Sequence, residues 1–304
     1  MPDPQAYLNG KFLPAEQAVL RVSDAGFVQG TTVAEQLRTF GGRLFRLEMH
    51  IARLFHSLGI VGIDPGLNPA QLARAASELV AHNHPLLAEG DDLGLVMFVT
   101  PGAYPTMLPG DAPGPTVCLH TFPLRFDLWV DKYEQGESLA TTDVMQVPSA
   151  CWPPELKCRS RMHYYLADRA ARQRFPGSRA LLLDAQGYVV EASTANVVLY
   201  KKDTGLLLPP AHKTLPGISL AVLHELAEEL ELYSDERDLR PLDVAAADEV
   251  FLTSTSPCIA PVTQLDGRPI GDGRPGPMFG HLMSAWNELA GLDIVAQARR
   301  FSQR

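Results

Sequence analysis

Residues 159–191 carry two hydrophobic periods in immediate succession, and that pairing rules out an all-helical or an all-β chain. From Arg159 to Arg174 the apolar positions Met162, Tyr165, Leu166 and Ala170 recur at helical spacing. Arg179-Ala-Leu-Leu-Leu-Asp184, the turn residues Ala-Gln-Gly187 and then Tyr188-Val-Val-Glu191 read as strand, tight turn, strand. Helix and sheet are therefore expected together, with Glu191 at a strand end. Just ahead of the helix stands Lys157, the only lysine between Lys132 and Lys201. On spacing alone it reads as a solvated residue at a helix start.

The same two periods alternate along the rest of the chain. The Asn9-Gly10 turn signal lies between apolar runs, so residues 5–22 are expected as a short hairpin. Leu47, Ile51, Leu54, Phe55 and Leu58 form one apolar helix face, with Arg53 on the opposite side. A second amphipathic helix is expected over 70–82, and strands over 93–100 and 116–123. The segment 101–115 is rich in proline and glycine, and reads either as a mobile loop over a pocket or as a surface connector. Strands over 197–201 and 206–209 flank an Asp203-Thr-Gly205 turn, and Gly217 opens a helix carrying Val222, Leu223, Leu226 and Leu230. The strand over 248–256 ends in the hydroxyls Ser254, Thr255 and Ser256. A last helix is expected over 278–290, and a disordered polar tail after Ala296. With the polar segment 127–136 as linker, the domains expected are 1–126 and 137–304.

Composition narrows the partners. At 304 residues, 46% hydrophobic and 20% charged, the chain can build two cores. A formal charge of −9 argues against nucleic acid and anionic membranes. No apolar run is long enough to span a bilayer, and Met-Pro-Asp-Pro-Gln lacks the features of a signal peptide, so a cytoplasmic location is expected. Cys118, Cys151, Cys158 and Cys258 form no Cys-x-x-Cys pair, which points to reduced thiols and no metal site. Gly-x-Ser-x-Gly, P-loop and His-Glu-x-x-His patterns are absent from the sequence.

Leu156-Lys157, followed downstream by Ala180-Leu-Leu-Leu-Asp-x-x-Gly-x-Val-x-Glu191-x-x-x-x-Asn196, resembles the class IV aminotransferases. These are the pyridoxal-phosphate enzymes that include branched-chain and D-amino-acid aminotransferases and aminodeoxychorismate lyase. The resemblance implies an α+β, two-domain fold-type IV enzyme with a small α/β N-terminal domain and a larger pseudo-barrel C-terminal domain. It implies pyridoxal 5'-phosphate as cofactor, an amino donor and a 2-oxo acid as substrates, and a homodimer. Lys157 would hold the cofactor as a Schiff base, with Glu191 on its pyridine nitrogen and Asn196 nearby. Arg53, in the family-like His50-Ile-Ala-Arg53-Leu, would contact the phosphate. Gly217, Ile218 and Ser219, in Leu-Pro-Gly-Ile-Ser, would form the phosphate cup, which Ser254 and Thr255 would complete.

These roles suit the residue types. A free lysine has a pKa of about 10.4, so a useful nucleophile needs burial or a neighbouring cation, for which Arg159 and Arg161 are candidates. A carboxylate such as Glu191 can keep the cofactor's ring nitrogen protonated, and a guanidinium or an open helix N-terminus binds phosphate.

The sequence departs from the family at two places. Ala34 stands before Glu35, where family transaminases usually carry an aromatic wall. Pro101 stands where D-amino-acid aminotransferases place a carboxylate-binding arginine. Either the substrate carboxylate is then bound by Arg38, Arg159, Arg161 or the backbone around Ser256, which is the expectation here, or the substrate lacks a carboxylate near its reacting carbon. Glu35 favours transamination, since lyases of the family tend to have threonine there. A β-eliminating lyase and a cofactor-free binding protein on the same fold are the alternative readings.

Overall fold

The computed structural model describes residues 3–107 and 114–303, and the chain groups into two compact units. One comprises the residues up to Leu124 together with Leu156–Ser160, the other Arg125–Glu155 and the chain from Arg161 onward. The segment 127–136, expected as a linker, belongs to the second unit and includes the helix α4 (Lys132–Gln135).

In the first unit, β1 (Gln5–Leu8) and β2 (Lys11–Pro14) pair through Asn9 and Gly10, whose φ angles of 49° and 87° make the left-handed turn that this dipeptide favours. The hairpin stops at Pro14 instead of running to residue 22, because proline has no N–H for the ladder, and a single helical turn over Ala15–Gln17 follows. Next come α1 (Ala25–Val28), β3 (Val33–Phe40), β4 (Arg43–Leu44), α2 (Leu47–Val61), α3 (Pro69–Asn83), β5 (Leu93–Thr100) and β6 (Thr116–Pro123). Among the described residues the sheet order is β2-β1-β6-β5-β3-β4. Val33, Leu37, Leu95, Met97, Val99 and Leu119 pack against the apolar faces of α2 and α3 as one core. Of the expected loop over 101–115, residues 108–113 lie outside the described residues. Gly102 and Tyr104 are tied by backbone hydrogen bonds to Ala25 and Ser23.

Leu156–Ser160 joins this unit by pairing with the entrance to β3. Cys158 bridges Val33, the Ala34 N–H donates to Lys157 O at 3.1 Å, and the Arg159 N–H donates to Thr32 O at 2.8 Å. The helix expected from Arg159 therefore begins only at Met162, since the backbone of 157–159 is taken up by an isolated bridge and hydrogen bonds to residues 32–34.

The second unit continues with β7 (Glu137–Thr141), α5 (Met162–Arg174), β8 (Arg179–Leu183), β9 (Val189–Ala192), β10 (Asn196–Lys201), β11 (Gly205–Leu208), α6 (Ile218–Glu229), β12 (Ser234–Glu236), α7 (Pro241–Ala245), β13 (Glu249–Ser254), β14 (Cys258–Leu265), β15 (Arg268–Pro269), α8 (Pro277–Ala290) and α9 (Ile294–Phe301). The sheet runs β12-β11-β10-β13-β14-β7-β8-β9, with β15 on β14. Ala192 and Ala195 exchange backbone hydrogen bonds, so a tight turn carries the chain from β9 at one end of this order to β10 near the other. The sheet thereby curls back on itself around Leu181, Val197, Leu199, Val250 and Leu252.

Two expectations about this unit are corrected. The apolar positions Met162, Tyr165 and Leu166 of α5 are exposed. The helix packs instead through Ala167 and Ala171 onto Ala140, Ala180 and Leu182, small side chains that let it sit close to the sheet. The tail after Ala296 is not disordered, because Ile294 and Ala298 bury one side of α9 and Phe301 meets the Phe126 ring at 6.3 Å. Among the described residues, no helix is long and apolar enough to cross a membrane.

Candidate active site

Lys157 is positioned by its backbone. Its carbonyl receives the Ala34 N–H, and its own N–H donates to Ser57 Oγ at 3.1 Å. Ser57 belongs to a polar stripe on α2, His50–Arg53–Ser57, at the flank of the apolar face. The other two members of the stripe grip Glu35. That residue shares the core face of β3 with Val33 and Leu37, and is buried. Arg53 donates from Nε to Oε1 at 2.6 Å and from Nη2 to Oε2 at 2.8 Å, while His50 Nδ1 lies 2.7 Å from Oε2. Burial pushes the Glu35 carboxyl up, but the hydrogen bonds and charge of Arg53, with smaller help from His50 and Lys157, hold it at about 2. Burial lowers the His50 pKa against the pull of Glu35. Arg53, expected on the far side of the helix, thus faces this carboxylate with little exposure.

The opposite face of the sheet aligns Ala34 with Phe98 and Cys118, Gln36 with Val96 and His120, and Arg38 with Gly94 and Phe122. Arg38 is fully buried, its guanidinium 4.1 Å from the centroid of the Phe40 ring and its Nε on Thr39 O. Arg159 is exposed. Burial, and then the Arg159 charge, hold the His120 imidazole below its ordinary pKa, so the two side chains feel each other on this face.

In the second unit Glu191 is buried where β9 ends. Its Oε1 accepts from the Tyr164 hydroxyl and from Gln146 Nε2 at 2.7 Å. Arg161 is the N-cap residue of α5. Asn196 starts β10 opposite Thr253 of β13, and its Nδ2 donates to Leu215 O at 2.9 Å. That bond shapes the approach to α6, whose N-cap is Gly217 and which has no side-chain cap. A Cβ on Gly217 would lie 2.0 Å from Asn196 Oδ1, so glycine is required there. Ser254 Oγ donates to Thr194 O at 3.2 Å, and Thr255 and Ser256 follow it, partly buried, after β13. Thr253 Oγ1 is buried without a partner.

The profile of the family described as Amino-transferase class IV matches residues 32–265. The chain belongs to the class IV aminotransferases. It is 32% identical over 281 residues to the D-alanine aminotransferase of Bacillus licheniformis, a match spanning 91% of this chain and 94% of that one. Among solved structures, the branched-chain amino acid aminotransferase of Escherichia coli matches with a TM-score of 0.85 at 25% identity over 95% of each chain. A T.th. branched-chain amino acid aminotransferase, complexed with N-(5'-phosphopyridoxyl)-L-glutamate, matches with a TM-score of 0.83 at 25% identity, over 96% of this chain and 95% of that one. The two-domain, fold-type IV α+β architecture expected from the sequence is the one this aminotransferase shares with them. Ser57 and His120 in the first unit, and Gln146 and Tyr164 in the second, were not picked out from the sequence. Only the polar stripe of α2 left a readable signal, in the spacing of His50, Arg53 and Ser57 beside an apolar helix face.

Proposed function

We propose that this aminotransferase uses pyridoxal 5'-phosphate to move an amino group between an amino acid and a 2-oxo acid, with Lys157 binding the cofactor covalently through Nζ and Glu191 pairing with its ring nitrogen. The observation that carries this reading is the uncapped N-terminus of α6 in the same unit as Glu191. The contrast with α8 is direct. There Glu249 reaches across from β13 and takes the Met278 and Phe279 N–H groups at 2.8 and 2.9 Å, whereas Ile218 and Ser219 open α6 with no side chain on them. Outward-pointing amides at the positive end of a helix suit a phosphate dianion, and Gly217 lets it approach the backbone. Thr255, Ser254 and Arg53 would add a hydroxyl, a second hydroxyl and a guanidinium.

When bound, the cofactor supplies an electron sink conjugated to the substrate's reacting carbon. The protein supplies the rest. Glu191, ionised, would keep the ring nitrogen protonated, and Lys157 Nζ, when not bonded to the cofactor, would take a proton from the donor's α-carbon in one half-reaction and deliver one to the acceptor's α-carbon in the other. Arg159, exposed and near enough for its charge to act on His120, is our choice for the substrate carboxylate in place of the arginine that Pro101 replaces. The relatives named D-alanine and branched-chain aminotransferases support an amino-acid donor. We further propose a homodimer.

Reconstitution with pyridoxal 5'-phosphate, borohydride reduction and peptide mapping test the assignment. A pyridoxyl label on Lys157 is expected, and a label on any other lysine would overturn it. A screen of D- and L-amino acids and amines against pyruvate and 2-oxoglutarate identifies the donor.

A further inference from the structure

Glu191 is surrounded by a hydrogen-bonding arrangement that a mere ion-pair partner does not need. Two neutral donors converge on its Oε1, the phenol of Tyr164 from the first turn of α5 and the amide Nε2 of Gln146 from the chain after β7. The Gln146 amide makes this bond at a cost, since its own Oε1 is buried without a partner. Turning the amide over would set that oxygen against the carboxylate, so the observed orientation suits a charged Glu191. Tyr164 is fixed in turn by His163, whose ring lies 4.0 Å away, centroid to centroid, with its Nε2 buried and unpartnered. Burial, with the Glu191 charge second, raises the Tyr164 pKa, so the phenol keeps its proton and remains a donor at every working pH.

We propose that Tyr164 is a positioning residue which, with Gln146, holds the Glu191 carboxylate ionised and in a single orientation, so that it can grip the cofactor's ring nitrogen even in mildly acidic solution. The inference rests on the reading of Glu191 as that nitrogen's partner. Its physical basis is that hydrogen bonds to the ionised form of a buried carboxyl favour that form. Without them a carboxyl in this setting takes up a proton on its own account, and a neutral Glu191 offers the ring nitrogen no charge. Other ionisable groups face the same cluster. Arg161 acts on Tyr164, and the His163 ring lies tilted against it. Asp168 and Arg179 both bond Ser193, just beyond Glu191. All four are unchanged in the Tyr164 and Gln146 variants below, so their own titrations cancel in the comparison.

The test is the dissociation constant of pyridoxal 5'-phosphate from the apoenzyme as a function of pH, followed by fluorescence for wild type, Tyr164→Phe and Gln146→Met. Near pH 8, where Glu191 is ionised in all three, the affinities should agree within a few-fold. On acidification each variant should lose affinity before wild type, the midpoint of its acid limb moving up by about 1–2 pH units for one lost bond to a charged group. His163→Phe, which keeps a ring against Tyr164, should leave the limb where wild type has it. A loss of affinity equal at every pH would show that Tyr164 only packs, and an unmoved limb in both variants would show that it does nothing for Glu191. Either result overturns the proposal while leaving Glu191 as the nitrogen partner. Wild type that takes up no cofactor would defeat the parent reading instead. Should Tyr164→Phe fail to fold, Gln146→Met carries the same expectation alone.

Discussion

A carboxylate on the core face of a sheet persists only when its charge is answered, and Glu35 is answered by Arg53 and His50 together. Its pKa is lowered from 4.5 to about 2, so its contribution to stability is fully present above about pH 4.5 and drains away as pH falls toward 2. Glu35→Gln leaves a buried guanidinium without its counter-charge and should cost about 3–5 kcal/mol at pH 7. Urea unfolding across pH checks the sign, because the gap between wild type and variant should narrow steadily below pH 4.5. A gap independent of pH would mean that the carboxylate's charge is not what matters. On the other face of β3, Arg159→Ala should raise KM for every accepted 2-oxo acid at least about tenfold, as expected for losing a charge-assisted bond. It should also let the His120 pKa rise in an NMR titration, since the Arg159 charge helps to hold it down. An unchanged KM would favour a substrate with no carboxylate near its reacting carbon.

At the scale of elements, α6 shows how local sequence builds an uncapped helix start. Gly217→Ala would drive a methyl into Asn196 Oδ1, so the turn must move and the amides of Ile218 and Ser219 lose their aim. Affinity for pyridoxal 5'-phosphate should fall at least about tenfold with the circular dichroism unchanged, a comparison made by titrating the apoenzyme. This helix start was legible beforehand, as were the strands β5, β6, β8, β9 and β13 and the helices α2, α3 and α8, because each carries its period and its stop signals within its own residues. What was not legible depended on partners distant in sequence. Local spacing makes Arg159 helical, but its N–H donates to Thr32 O on a segment far away in sequence. Met162, Tyr165 and Leu166 keep helical spacing yet point outward, since alanines elsewhere on α5 make the close contact. The polar tail hid α9, whose docking depends on Phe126. The site divides in the same way. Lys157, Glu191 and the Gly217 turn sit in readable local motifs, whereas Ser57, Tyr164 and Gln146 reach their partners only through the tertiary fold.

At the scale of the whole molecule, some exposed apolar side chains, such as Val61, Leu128, Leu242 and Leu289, are spread along the chain, but two stretches carry several each. Met162, Tyr165 and Leu166 stand one turn apart on α5, and Val19, Leu20, Val22 and Phe27 crowd the short stretch around the start of α1. Grouped apolar exposure marks a surface that another chain covers, and symmetric pairs are the commonest way to cover it. The protein should therefore be a homodimer by light scattering at micromolar concentration. Met162→Glu combined with Tyr165→Glu places charge on side chains that are 69% and 65% exposed, so the fold should survive while the mass halves. A dimeric double variant would show that the α5 stripe lies outside the interface, and a monomeric, fully active wild type would refute the dimer itself. Salt gives an independent check of what holds it together. Each protomer carries a formal charge of −9, so pairing two of them costs repulsion that added salt screens, while burial of the apolar stripe is not weakened by salt. The dimer dissociation constant should thus fall as ionic strength rises. An interface held mainly by ion pairs would show the opposite trend.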